Sequence, residues 1–166
     1  MRVPRRKAGE FTFAKPDPLI TAEKLTELKA NLEKLKNIIQ PELASEVKRL
    51  ALMGDFSENA AYQIAKGRLR GVNQKITDLQ KQIDIAEIIE TNTKSSTVKI
   101  GSLVSVEVNQ AIKKYRILGS LETNPSSGVI SYNSPFGQAL LNKAVGAVLE
   151  IKLGDNIVTY KILKIE

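Results

Sequence analysis

The chain has 166 residues, 42% of them apolar, which is enough for one full domain or two small ones and argues against disorder. Lysine and arginine outnumber aspartate and glutamate by 25 to 18, giving a formal charge of +7 and a pI near 9.6 that favour a polyanionic partner. With no cysteine and no histidine, the sequence excludes disulfides, thiol catalysis, the usual zinc sites and histidine acid–base chemistry, leaving carboxylates as ligands for a hard cation such as magnesium.

The first stretch, MRVPRRKAGEFTFAKPDP (1–18), is basic and proline-containing and lacks the apolar segment of a secretory signal. It reads as a flexible, solvated arm, with a nucleic-acid-binding arm as the sharper alternative. No apolar run approaches the ~20 residues needed to span a bilayer, so the expected location is cytoplasmic and no membrane partner is expected.

Residues 19–91 read as a helical hairpin. Thr21 is a good N-cap, with Lys24 where a capping box would place glutamate. Leu25, Leu28, Leu32, Leu35 and Ile39 recur at steps of 3 and 4, a heptad seam. Pro41 interrupts it, which predicts a kink or a restart before Leu43, Val47 and Leu50 resume the pattern. The second arm is more regular: Tyr62, Ala65, Leu69, Val72, Ile76, Leu79, Ile83 and Ala86 alternate steps of 3 and 4, despite Gly67 and Gly71, which cost about 1 kcal/mol each against alanine. Two seams joined by a glycine-containing turn predict an antiparallel coiled coil. Arms of about 30 residues at ~1.5 Å per residue make a rod roughly 45 Å long with little interior of its own.

From Thr91 a polar linker, TNTKSST, leads to short alternating runs: SLVSVEV (102–108), YRIL (115–118), GVISYN (128–133), AVLEIKL (147–153) and IVTYKILKI (157–165). Asp155-Asn156 after Gly154 marks a tight hairpin between the last two. In SPFGQALLNKAV, Ser134 as N-cap and Pro135 at the first helical position predict one short helix. Residues 99–166 therefore read as a small antiparallel sheet with a helix packed on it, and the whole chain as α+β.

The turn of the hairpin, Gly54-Asp55-Phe56-Ser57-Glu58-Asn59, admits two readings on spacing alone. Asp-x-x-Glu is a capping box, and both carboxylates gain from the positive end of the helix dipole by about 0.3–1 kcal/mol each. Against that, Phe56 sits at a tip with no core to enter, and cations follow on both flanks of the seam: Lys66 with Arg70, and Arg68 with Lys75. Such stripes are usually solvated faces shielding a coiled-coil seam. Combined with tip acids, they make a bipolar rod that could follow a phosphate backbone and offer carboxylates to a metal ion held elsewhere.

The segment GDFSENAAYQIAKGRLR resembles the tip of the bacterial Gre transcript cleavage factors, with its Gly-Asp-x-x-Glu-Asn-Ala-x-Tyr core. YRILG and ISYNSPFGQALLNKAVG resemble the family's strand–Asn/Asp-Ser-Pro–helix segment, so the likeness covers about residues 20–166. The run YQIAKGRLR leans toward the GreB branch.

The resemblance implies an accessory factor rather than a free-standing enzyme, with no cofactor of its own and no small-molecule substrate. An FKBP-like C-terminal domain docks at the rim of the secondary channel of bacterial RNA polymerase, and the coiled coil extends to the polymerase active site. There the tip acids help retain a magnesium ion shared with the polymerase and position a water, so that the 3′ part of backtracked RNA is cleaved. Carried over, Asp55 and Glu58 match the catalytic, metal-facing acids. Phe56, Ser57, Asn59 and Tyr62 fall on the tip pattern, Lys66, Arg68, Arg70 and Lys75 on the basic patch that approaches nascent RNA, and Asn133, Ser134 and Pro135 on the docking segment. Ala61 stands where the family usually has an acid, Gly67 where a charged residue is common, and Phe56 is bulkier than usual. The rival readings are a related factor that occupies the channel and inhibits polymerase, a coiled-coil adaptor with an isomerase-like domain, and nonspecific nucleic-acid binding through the basic arm.

Overall fold

The computed structural model describes residues 17–53, 60–89, 95–153 and 156–166. The first arm of the hairpin runs through α1 (Ala22–Lys34), a π-helical stretch (Leu35–Ile39) and α2 (Gln40–Ala51); the second is α3 (Ala60–Asp84). The expected seams face each other. Leu28, Leu32, Leu35 and Leu79 are buried with Ile20, and Leu25, Ile39, Val72, Ile76, Ile83 and Ala86 pack around them. Leu50 and Ala65 are also buried.

Pro41 acts on the turn before it. It cannot donate to the carbonyl four residues back, and its ring presses on that turn. The wider bonding of the π stretch, in which Gln40 N–H donates to the Leu35 carbonyl, accommodates it without ending the helix. The same widening keeps the seam straight. Leu35, Ile39, Leu43 and Val47 are spaced by 4 residues each time, which on an unbroken α-helix would drift about 120° around the axis. The residue added in the π stretch takes up most of that drift.

Two short strands close the open end of the hairpin. β1 (Leu19–Ile20) pairs in parallel with β2 (Glu87–Ile88), extended by Glu87 N–H to the Pro18 carbonyl (2.7 Å) and Ile89 N–H to the Ile20 carbonyl (2.8 Å). Asp17 and Pro18, expected in the arm, are therefore anchored residues.

The C-terminal unit is a five-stranded sheet of β3 (Leu103–Val108), β4 (Ala111–Leu118), β5 (Val129–Ser131), β6 (Val148–Leu153) and β7 (Asn156–Ile165), in the order β5-β4-β3-β7-β6. Three of its four pairings are antiparallel. β4–β5 is parallel, because two 3₁₀ turns, Ser120–Glu122 and Pro125–Ser127, carry the chain back across the sheet end in place of a hairpin. β4 starts earlier than expected, at Ala111. A two-residue turn with both residues left-handed (Asn109 φ 49°, Gln110 φ 62°) joins it to β3, the geometry that matches strand twist. Leu153 pairs with Asn156 across the last hairpin, so Asn156 opens β7, while positions 154 and 155 lie outside the described residues.

Ser134 Oγ accepts from Gly137 N–H (3.0 Å) and Pro135 opens α4 (Pro135–Leu140), as expected. Helix α4 covers a core of Val98, Val104, Val106, Ile117, Leu140 and Ile162, each with essentially no exposed surface. Phe136 wedges between Tyr115 and Tyr160, its ring centroid 4.8 Å from each.

Candidate functional site

The expected tip residues Asp55, Phe56, Ser57, Glu58 and Asn59 lie outside the described residues. What the structure fixes is their frame. Helix α2 ends at Ala51 and α3 begins at Ala60, so the tip segment joins the two arms at the end opposite the β1–β2 pair. With 25 residues in α3, that end stands roughly 37 Å from the base. Its approaches are apolar and unburied: Leu52 is 81% exposed, Met53 68% and Ile64 57%. Among the described residues no three acidic side chains gather closely enough to hold an ion.

Tyr62 is half-buried, and the Lys66 ammonium lies 5.8 Å from its ring centroid, a cation–π contact that orients the lysine along the helix. Lys66, Arg68, Arg70 and Lys75 are all exposed on α3. None of the four is held in an ion pair among the described residues. Lys66 and Arg70 flank the seam on one side, Arg68 and Lys75 on the other, so the coil presents a cationic surface on both sides of the apolar stripe. Gly67 and Gly71 lie on the solvent side, where an added Cβ would meet nothing within 4 Å.

The expected docking residues span the last two positions before α4 and its first residue. Asn133 and Pro135 are exposed and Ser134 is half-buried. Ser131 holds this loop: its carbonyl accepts from Ser134 N–H (3.0 Å) and Oγ–H (2.6 Å), and its hydroxyl accepts from Asn133 N–H (3.1 Å). Through Ser131 and Ser120 this loop lies beside Asp17 and the β1–β2 end of the hairpin.

Residues without a sequence signal join the two units. Asp17 Oδ1 accepts from Leu19 N–H and from the Tyr132 hydroxyl, both at 3.1 Å, and its Oδ2 accepts from Ser120 N–H at 2.7 Å. Burial raises the Asp17 pKa, but the bonds from Ser120, Leu19 and Tyr132 outweigh it and hold the carboxyl below the usual range. Burial, with the Asp17 carboxylate beside it, pushes the Tyr132 phenol above its usual range, so it stays a donor at neutral pH. Glu122 accepts from Thr21 N–H (2.8 Å) and Thr21 Oγ–H (2.6 Å).

Comparison with known proteins covers both units. The profile described as "Transcription elongation factor, N-terminal" matches residues 18–88, and "Transcription elongation factor, GreA/GreB, C-term" matches residues 92–166. Transcription elongation factor GreA of Neorickettsia sennetsu is 37% identical over 150 residues, covering 89% of this chain and 94% of that protein. GreA of Alkaliphilus oremlandii is 37% identical over 156 residues, covering 92% and 98%. A crystal structure of GreA factor homolog 1 of Thermus thermophilus aligns with a TM-score of 0.41 at 22% identity, over 89% of this chain and 97% of that one. Both sequence relatives carry the GreA name, so the GreB lean of the basic run finds no support in them. The chain belongs to the GreA/GreB family of transcription elongation factors.

Proposed function

We propose that this factor binds bacterial RNA polymerase through its sheet domain, passes the hairpin down the secondary channel, and stimulates the polymerase's own cleavage of backtracked RNA. What supports the reading is an Asp-x-x-Glu sequence in the stretch between α2 and α3, the two arms of a coil whose second helix carries exposed cations on both flanks. In this reading Lys66, Arg68, Arg70 and Lys75 draw the coil along RNA phosphates, and Asn133–Pro135 lie at the channel rim. Asp55 and Glu58 supply hard oxygen ligands, the kind magnesium takes in ones and twos when phosphate and water complete its shell. Magnesium, when bound in the polymerase, supplies the positive charge that stabilises the reacting phosphodiester. The two carboxylates also orient a water for attack. The chain itself is no enzyme, and its place is in the cytoplasm with the polymerase.

Cleavage of a stalled, backtracked complex by purified bacterial polymerase tests this directly. Asp55→Ala or Glu58→Ala should lower stimulated cleavage by about 10²-fold, the cost of several kcal/mol of lost transition-state stabilisation. Affinity for polymerase should stay near wild type. Equal cleavage by wild type and both variants would end the metal role. Ala61, where the resembled family pattern usually has an acid, bears on the strength of stimulation and keeps one rival in the test: a channel-occupying inhibitor, which slows elongation and adds no cleavage in the same assay.

A further inference from the structure

Thr21 opens α1 with its hydroxyl accepting from Lys24 N–H at 3.1 Å. In a capping box the glutamate at Lys24's position would bond back to the Thr21 N–H. Here Glu122, 101 residues later, accepts from the Thr21 N–H, and its carboxylate also accepts from the Thr21 hydroxyl. The capping box is completed by the other domain. A carboxylate at this helix end is further favoured by the dipole.

The same short turn grips the chain a second time. Ser120 N–H holds Asp17 Oδ2, and Tyr132 O–H holds Asp17 Oδ1. Between these bonds Gly119 lies flat on the Leu19 carbonyl: a Cβ there would be 1.8 Å from that oxygen. Gly119 has φ −68°, open to any residue, so space and not conformation requires glycine. Ser120 and Ser131 hydroxyls meet at 3.1 Å, continuing the network to the Asn133–Pro135 loop.

We propose that Glu122 and Asp17 are positioning residues that fix the angle between hairpin and sheet domain and so aim the tip. The aiming rests on the function proposed above; the latch itself does not. One bond would leave a swivel, whereas two carboxylate grips spanning residues 17–21, made at Ser120 and Glu122 of one turn, leave none. The lever makes this matter. A swing of about 10° at the base moves a point 40 Å away by roughly 7 Å, whereas a metal ligand has to be held within about 0.5 Å.

The chain has no cysteine, so Lys48→Cys on α2 and Glu150→Cys on β6, both at exposed positions, give a single nitroxide pair in the full-length protein. Electron–electron distance measurement should find a narrow distribution in wild type. Glu122→Ala and Gly119→Ala should broaden or shift it by about 5 Å or more at this lever length. Glu122→Gln retains an acceptor for the Thr21 N–H and should restore the narrow distribution, which a general loss of folding would not do. The same two disruptive variants should lower stimulated cleavage about tenfold or more while polymerase affinity changes less than about twofold. An unchanged distribution in Glu122→Ala overturns the latch. A broadened distribution with full cleavage overturns its aiming role. If wild type stimulates no cleavage yet the distributions respond, the latch stands and the polymerase reading is what fails.

Discussion

Three helical glycines predict opposite effects for one chemical change. Gly137 is the third residue of α4, where alanine is ordinarily favoured over glycine by about 0.5–1 kcal/mol. Its added Cβ, however, would lie 2.1 Å from the Ser131 carbonyl oxygen and 3.0 Å from the Tyr132 Cα. The backbones would have to part by about 1 Å or more, an overpacking strain of about 1–3 kcal/mol. That oxygen also accepts both Ser134 bonds, so retreat weakens the cap of α4, worth about 1 kcal/mol. The net expectation for Gly137→Ala is a loss of about 1–3 kcal/mol, or roughly 5–20 °C in Tm for a domain this small. Gly67→Ala and Gly71→Ala meet open space and should each gain about 0.5–1 kcal/mol. Thermal unfolding followed by far-ultraviolet circular dichroism reads all three. A Gly137→Ala protein as stable as wild type would refute the close approach between α4 and the Ser131–Ser134 loop.

The Asp17 latch carries a pH signature. Its carboxyl is held below the ordinary range, so its contribution is complete above the unfolded aspartate value of about 3.9 and drains away as pH falls through the lower folded value. The label distance should hold from pH 8 to about 5 and widen only below about 4; widening already between pH 7 and 5 would assign the transition to another group. On the coil, Arg68→Gln with Lys75→Gln should leave stability within about 0.5 kcal/mol, since both side chains are exposed and outside any ion pair among the described residues. The same double variant should flatten the salt dependence of binding to RNA-containing complexes by about 0.7 in log–log slope for each phosphate it no longer neutralises; an unchanged slope would remove these residues from the RNA path. Phe136→Ala removes the wedge between Tyr115 and Tyr160 and should cost about 2–4 kcal/mol in urea unfolding, the ring being half-buried.

The coiled coil was legible because its seam repeats without a break from Tyr62 to Ala86, and a repeat needs no knowledge of distant chain. The cap of α4 was legible for a similar reason: Ser134 and Pro135 act within one turn. The π stretch left a trace, the run of four-residue steps from Leu35 to Val47, which reads as a loose heptad until its drift is counted. The start of β4 was hidden because Ile112, Lys113 and Lys114 are exposed and Asn109-Gln110 lacks the glycine that usually marks such a turn. The parallel β4–β5 pair has three residues and the β1–β2 pair two, too few to carry a period. Asp17 and Glu122 act on partners about a hundred residues away. Their only local hint was Lys24 in a glutamate's place.

Straightness and direction are separate requirements on this hairpin, and different residues meet them. The coil has one apolar seam and no second layer, so its straightness depends on the meshing of Leu28, Leu32 and Leu35 with Val72, Ile76 and Leu79, helped by the π stretch where Pro41 would otherwise turn the seam away. Nothing in that seam sets where the rod points. Direction enters through residues 17–21, which are held by Gly119, Ser120 and Glu122. Substitutions along the seam should therefore lower the melting temperature with little change in the base angle, and substitutions at 119 or 122 should do the reverse. Leu32→Ala beside Glu122→Ala, each measured for both quantities, separates the two: a common response in both would mean that hairpin and sheet domain fold and orient as one inseparable unit.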